Sequence, residues 1–135
     1  MGLLTATLHP EGFHGHGKKK RFFEGWYVKL VSADRAQRWA VIPGLFLGPD
    51  GGGEAFVQVL DGATKRSWFC RYALHEFEAQ AGSFDVRVGP STFSAKGLTL
   101  SLADGPLQGS LTFSGFNPWP VTLASPGIMG WYAYV

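Results

Sequence analysis

Cysteine is almost absent from this chain. Cys70 is the only one in 135 residues. One thiol forms no internal disulfide and builds no cysteine-based zinc or iron–sulfur centre, which fits a reducing compartment. Charge is also scarce, at 16% of residues, against a usual share of about a quarter. A formal net charge of +2 leaves no electrostatic footprint for nucleic acid, and none is expected as a partner. No stretch approaches the roughly 20 apolar residues of a membrane span. No long apolar run follows a basic start either, so neither a transmembrane segment nor a signal peptide is expected. The expected location is the cytoplasm or the periphery of a membrane.

Several catalytic signatures are missing too. Gly48, Pro49, Asp50, Gly51, Gly52 and Gly53 make a glycine-rich loop. It lacks the Lys-Ser or Lys-Thr of a phosphate loop, and no helix follows it. Ser125, Pro126 and Gly127 do not make a nucleophile elbow, because no strand–turn–helix context surrounds them. No dinucleotide fingerprint is present. Hydride transfer and metal-dependent hydrolysis therefore find little support.

What remains is aromatic and alternating. Aromatic residues make up 15% and hydrophobic residues 45% of the chain. With so little charge, that composition describes a folded protein with a large apolar interior or an apolar pocket. The length suits one domain. Residues 39–47 read as a strand in which Pro43 and Gly44 mark a bulge, a kink or an edge. Residues 54–60 read as a central strand, with Phe56, Gln58 and Leu60 on one face and Ala55, Val57 and Val59 on the other. Gln58 then requires a hydrogen-bond partner or lines a ligand cavity. Residues 67–74 read as a further strand, and a strand with a turn at Gly82 and Ser83 is preferred over a helical turn for 73–81. Phe84, Val86 and Val88 alternate with Asp85 and Arg87; Leu98, Leu100 and Leu102 alternate with Thr99 and Ser101. Leu107, Gly109, Leu111 and Phe113 share one face of a later strand. Short alternating strands with turn signals about every ten residues predict an all-β antiparallel barrel or sandwich.

The densest signal lies at residues 21–30. Phe22, Phe23, Trp26 and Tyr27 crowd around Glu24 and Gly25. Read as the first strand, this stretch puts Phe22, Glu24, Trp26 and Val28 on one face and Phe23, Gly25, Tyr27 and Lys29 on the other. If the first face points inward, an acid sits between aromatic rings in an apolar setting. The plainer alternative is a carboxylate aimed at water or paired with a lysine. Residues 1–20 read as an extended, basic N-terminal arm, solvated or loosely packed, ahead of a β-domain at 21–135. Lys18, Lys19, Lys20 and Arg21 form a basic knot. It is either a solvated segment or a contact for an anion or a lipid headgroup. His9, His14 and His16 lie within the arm, but no acid stands at an obvious partner position, Glu11 being a weak candidate, and no metal site is assigned.

The run Phe22, Phe23, Glu24, Gly25, Trp26 and Tyr27, preceded by His14, Gly15, His16, Gly17 and the three lysines, resembles the opening motif of the tocopherol cyclase family. Residues 117–134, from Asn117, Pro118 and Trp119 to Gly130, Trp131, Tyr132 and Tyr134, resemble a second signature of that family. Between them, Ile42, Pro43 and Gly44, then Phe56, Val57, Gln58, Val59, Leu60, Asp61 and Gly62, fall in the family's order. Family members are much longer, so the chain is expected to correspond to their N-terminal part. Its β-structure is then expected to be incomplete at the C-terminal edge. An apolar final strand at 127–135 would leave an edge open to self-association or to a second polypeptide.

The resemblance implies a lipocalin-like fold that holds long apolar ligands. It also implies closure of a chromanol ring on a prenylated hydroquinone without an organic cofactor. Such a reaction needs a proton delivered to an alkene. Burial among aromatics favours the protonated carboxyl, which makes Glu24 the candidate acid. Phe22, Trp26, Tyr27, Gln58, Trp131 and Tyr132 are the candidate ligand-binding residues. Trp26, on the face of Glu24, is the ring best placed to stabilise a cation. A carrier for a prenyl quinone, carotenoid or fatty acyl chain requires the same pocket without turnover. Most of the aromatics are expected to be packing residues in either case.

Overall fold

The computed structural model describes residues 8–122 and 124–125. The chain forms two antiparallel sheets and no α-helical element among the described residues. The first sheet contains β1 (Phe22–Gly25), β2 (Val28–Val31), β3 (Arg38–Leu47), β4 (Gly53–Asp61) and β5 (Ser67–Tyr72). Its order is β1-β3-β4-β5, with β2 also paired to β3. A short 3-10 turn at Leu74–Glu76 leads into the second sheet. That sheet is a meander of β6 (Phe77–Ala79), β7 (Asp85–Val88), β8 (Ser91–Ser94), β9 (Gly97–Ser101) and β10 (Gln108–Thr112). The all-β antiparallel class is as expected, and among the described residues the two sheets do not close into a barrel. No helix among the described residues is long and apolar enough to cross a membrane. The final strand expected at 127–135 lies outside the described residues, as do Trp131 and Tyr132.

The core follows from period-two alternation. Val41, Ala55, Val57 and Val59 face inward from the first sheet and meet Val86, Val88, Phe93, Leu98, Leu100 and Leu102 of the second. All are buried. The one buried polar side chain among the described residues, Ser91, accepts a hydrogen bond from the Ser101 backbone N–H at 3.0 Å. Burial of this kind stabilises the fold by roughly 1.5–3 kcal/mol per large side chain. β4 is central, as both its apolar faces require.

The stretch at 21–30 corrects the expectation of a single strand. It divides into β1 and β2, yet both halves pair with β3 in one register: Gly25 opposes Gly44 and Val28 opposes Val41. That register places Trp26 opposite Pro43. The Trp26 N–H donates to the Pro43 carbonyl at 3.0 Å. A directly opposed hydrogen-bonded pair exchanges two such bonds, but proline has no N–H to return the second. Pro43 therefore neither bulges β3 nor moves it to an edge. β3 runs unbroken through it, and the ladder fails only on the facing strand.

The arm also differs from the expected loose segment. Phe13 is only 8% exposed and forms a second cluster with Leu45 and Leu47, packed by Phe22, Trp26, Leu74, Phe77 and Ala79. Its N–H donates to the Gln80 carbonyl at 3.2 Å, just beyond β6. The arm thus bridges the first sheet to the edge of the second. Gly15 allows the close approach, since a Cβ there would strike the rings of Phe13 and Phe22.

Candidate functional site

Glu24 sits on the inner face of β1, in line with Leu45 of β3, Ala55 of β4 and Tyr72 of β5. Its neighbours on that face are Phe22 and Trp26, as the alternation predicts. The purely apolar surroundings expected for it are not what it has. The arm brings His14 against it: His14 Nδ1 and Glu24 Oε1 share a hydrogen bond of 2.6 Å, and the His14 backbone N–H donates to Oε2 at 2.9 Å. Both carboxylate oxygens are engaged, and the Glu24 side chain is 17% exposed. A half-buried acid satisfies its lone pairs in this way. Sequence reasoning offered only Glu11 as a weak acidic partner for the histidines, and Glu11 meets His9 at 3.3 Å, not His14. The partner of His14 stands ten residues on, across a chain reversal that local spacing does not reveal.

Aromatic rings surround this pair. Phe13 lies at its centre, with ring centroids 4.9 Å from His16, 5.3 Å from Phe77, 5.9 Å from Phe22 and 6.2 Å from Trp26. Edge-on contacts dominate, the geometry favoured by ring quadrupoles. Trp26 stacks on Phe77 and Phe84, and its indole N–H donates to the Glu11 carbonyl at 2.9 Å. His14 and His16 thus engage different partners. Among the described residues no group of three or more His, Cys, Asp or Glu is placed to hold a metal ion.

The remaining candidates are dispersed. Tyr27 points the other way from Trp26 and is exposed. Gln58 lies half-buried on the outer face of the first sheet, between Ile42 and Phe69, on the side of β4 away from the core. It does not join Glu24. Lys18, Lys19, Lys20 and Arg21 are all exposed. The Arg21 N–H donates to the Gly48 carbonyl at 3.0 Å, which lays this basic segment beside the loop joining β3 and β4.

An open cleft of about 1300 Å³ lies among the described residues. Tyr27, Val28, Phe84, Phe113, Phe116 and Trp119 give it an apolar lining, and Lys29 and Glu11 add charge. Phe116 and Trp119 present most of their surface to solvent. Sequence reasoning placed Tyr27 near a ligand but missed Phe84, Phe113 and Phe116. A smaller groove of about 350 Å³ runs along β5, lined by Trp68, Cys70, Tyr72 and Asp104. Burial first, and the Asp104 carboxylate second, push the Cys70 thiol up from its ordinary value. Neither Glu24 nor His14 lines either hollow.

No family model, curated protein or solved structure matches the chain.

Proposed function

We propose that the protein binds an elongated apolar molecule, of the class of a prenyl quinone, carotenoid or fatty acyl chain, in the cleft between β2, the β8–β9 turn and the segment after β10. The observation that carries this reading is the cleft's aromatic lining, in which Tyr27, Phe116 and Trp119 are exposed and Phe84 and Phe113 half-buried. A concave, mainly apolar surface with a few polar groups is the usual form of a small-molecule site. Exposed rings of this size gain most by being covered. The test is retention of a prenylated hydroquinone through gel filtration, followed by the quenching of tryptophan fluorescence. Phe113→Asp, which puts a charge in the lining, is expected to abolish retention. A wild-type chain that emerges free of ligand overturns the reading.

A second reading is favoured by the Glu24–His14 pair. In it, Glu24 donates a proton to the alkene of a prenylated hydroquinone. The tertiary carbocation formed is captured by the phenol oxygen, closing the chromanol ring, and that oxygen's proton returns to the Glu24 carboxylate. The net reaction is an isomerisation needing no oxidant. A carboxyl hydrogen-bonded to an imidazole suits such proton transfer, and Trp26 offers a ring face nearby. Phe13 fills the space against Phe22, Trp26 and Phe77, so substrate reaches Glu24 only when the arm withdraws. Glu24→Gln is expected to abolish ring closure, measured as chromanol formation, and to leave the circular dichroism spectrum unchanged. Undiminished turnover removes Glu24 from the chemistry.

A further inference from the structure

The outer face of the first sheet carries a run of phenylalanines that no other element among the described residues covers. Phe46 of β3 opposes Phe23 of β1. Phe23 stacks on Phe56 of β4 at 5.9 Å, and Phe56 stacks on Phe69 of β5 at 5.0 Å. The stripe therefore crosses four strands. Phe56 is 4% exposed because its neighbours flank it, while Phe23, Phe46 and Phe69 are 65%, 47% and 46% exposed. None of the four lines the cleft.

The charge beside this stripe is mainly basic. Lys18, Lys19, Lys20 and Arg21 run past the β3–β4 loop at the Phe23 and Phe46 end, and none has an ion-pair partner among the described residues. Arg71 lies over the Phe69 ring at 5.6 Å and takes up the one carboxylate on this face, Glu54, at 3.5 Å. The Asp50 carboxylate in the loop accepts the Gly52 N–H.

We propose that this face docks on an anionic lipid surface, with Phe23, Phe46 and Phe69 entering the boundary between headgroups and acyl chains and Lys18, Lys19, Lys20 and Arg21 contacting the headgroups. The complementarity is of two kinds. The rings have no hydrogen-bonding groups to satisfy in the apolar layer, and the unpaired cations beside them match anionic headgroups. Apolar insertion and a basic cluster together give the two signals that stable peripheral binding requires. The inference is independent of the cleft reading, since it uses neither the cleft nor Glu24.

The experiment is cosedimentation of the full chain with phosphatidylcholine vesicles prepared with and without phosphatidylserine. The wild type is expected to bind the anionic vesicles, to bind neutral ones far more weakly, and to release in high salt. Each basic residue near such a surface strengthens binding by about fivefold, so replacing Lys18, Lys19 and Lys20 with Gln is expected to weaken it by roughly a hundredfold. Phe23→Thr with Phe46→Thr is expected to weaken it by about tenfold or more, with an unchanged circular dichroism spectrum. The lysine variant alters only exposed side chains and so tests the proposal even if the phenylalanine variant misfolds. Failure of the wild type to bind anionic vesicles overturns the proposal. So does a folded Phe23/Phe46 variant that binds as tightly as the wild type. A wild-type dimer that this variant dissociates, with no vesicle binding by either, assigns the face to a second copy and overturns it equally.

Discussion

The two faces of the first sheet are built from the same kinds of residue and meet different fates. Inward, β3 and β4 present Val41, Ala55, Val57 and Val59, all sealed by the second sheet. Beside them, Glu24, Phe22 and Trp26 are sealed by the arm. Outward, Phe23, Phe46 and Phe69 are as apolar as anything inside, yet roughly half of each or more meets solvent. Apolar character does not decide burial in this sheet. What decides it for most of them is whether another element crosses the face; among the described residues β6 to β9 and the arm cross the inner side alone, and on the outer side only Phe56 is buried, by the rings that flank it.

The sharpest way to break this contrast is Phe13→Ala. Removing a buried phenylalanine costs about 3–5 kcal/mol, and here it also removes the seal over Phe22 and Trp26. Urea denaturation is expected to show that loss, and limited proteolysis is expected to show faster cleavage within residues 8–20. An unchanged denaturation midpoint would mean that the arm adds nothing to the inner face. Gly44→Ala comes next. A Cβ there would stand 2.5 Å from the Glu24 carbonyl oxygen and 2.6 Å from Cζ of Phe56, and overpacking of this kind costs about 1–3 kcal/mol. It tests the one place where the outer face is tightly packed. Phe46→Thr is expected to change stability by no more than about 0.5 kcal/mol. A loss comparable to that of Phe13→Ala would show that the outer face contributes to the fold after all.

The smallest effect concerns β5, where the inner face reaches its edge. Burial first, then Cys70 and Glu76, raise the Tyr72 phenol, and burial with Asp104 raises the Cys70 thiol. Both groups hold their protons more tightly folded than unfolded. Their contribution is therefore whole below the unfolded range and drains away as pH rises through the raised values. The Cys70 thiol is expected to react with iodoacetamide more slowly in the native chain than in urea at mildly alkaline pH. Equal rates would place Cys70 outside the sheltered surface.

Much of this arrangement is legible in the sequence, for definite reasons. The alternation of Val86 with Arg87 and of Leu98 with Thr99 reports which side of a strand meets the core, and Val86 and Leu98 are buried; β4, apolar on both faces, gave only its central place. β8 is less legible, because Ser91 is buried and Thr92 exposed, so polarity does not alternate there. The division of β1 from β2 was out of reach because its cause, Pro43, lies on the neighbouring strand. Phe13 gave no periodic signal, standing between Gly12 and His14 in a segment rich in glycine. The inward aim of Glu24 followed from spacing, whereas its partner His14 followed from tertiary folding alone.

The arm's bond to Gln80 fixes an order of events during synthesis. Among the described residues the strands of the first sheet find all their partners within residues 22–72, so those partners are all synthesised before β6. Phe13 cannot take its final place until Phe77 and Gln80 have left the ribosome. For that interval the earliest-made residues wait on the latest of their contacts. Long-range closure of this kind is slow compared with local strand pairing, so the emerging chain, more than the mature one, leaves Phe22 and Trp26 uncovered.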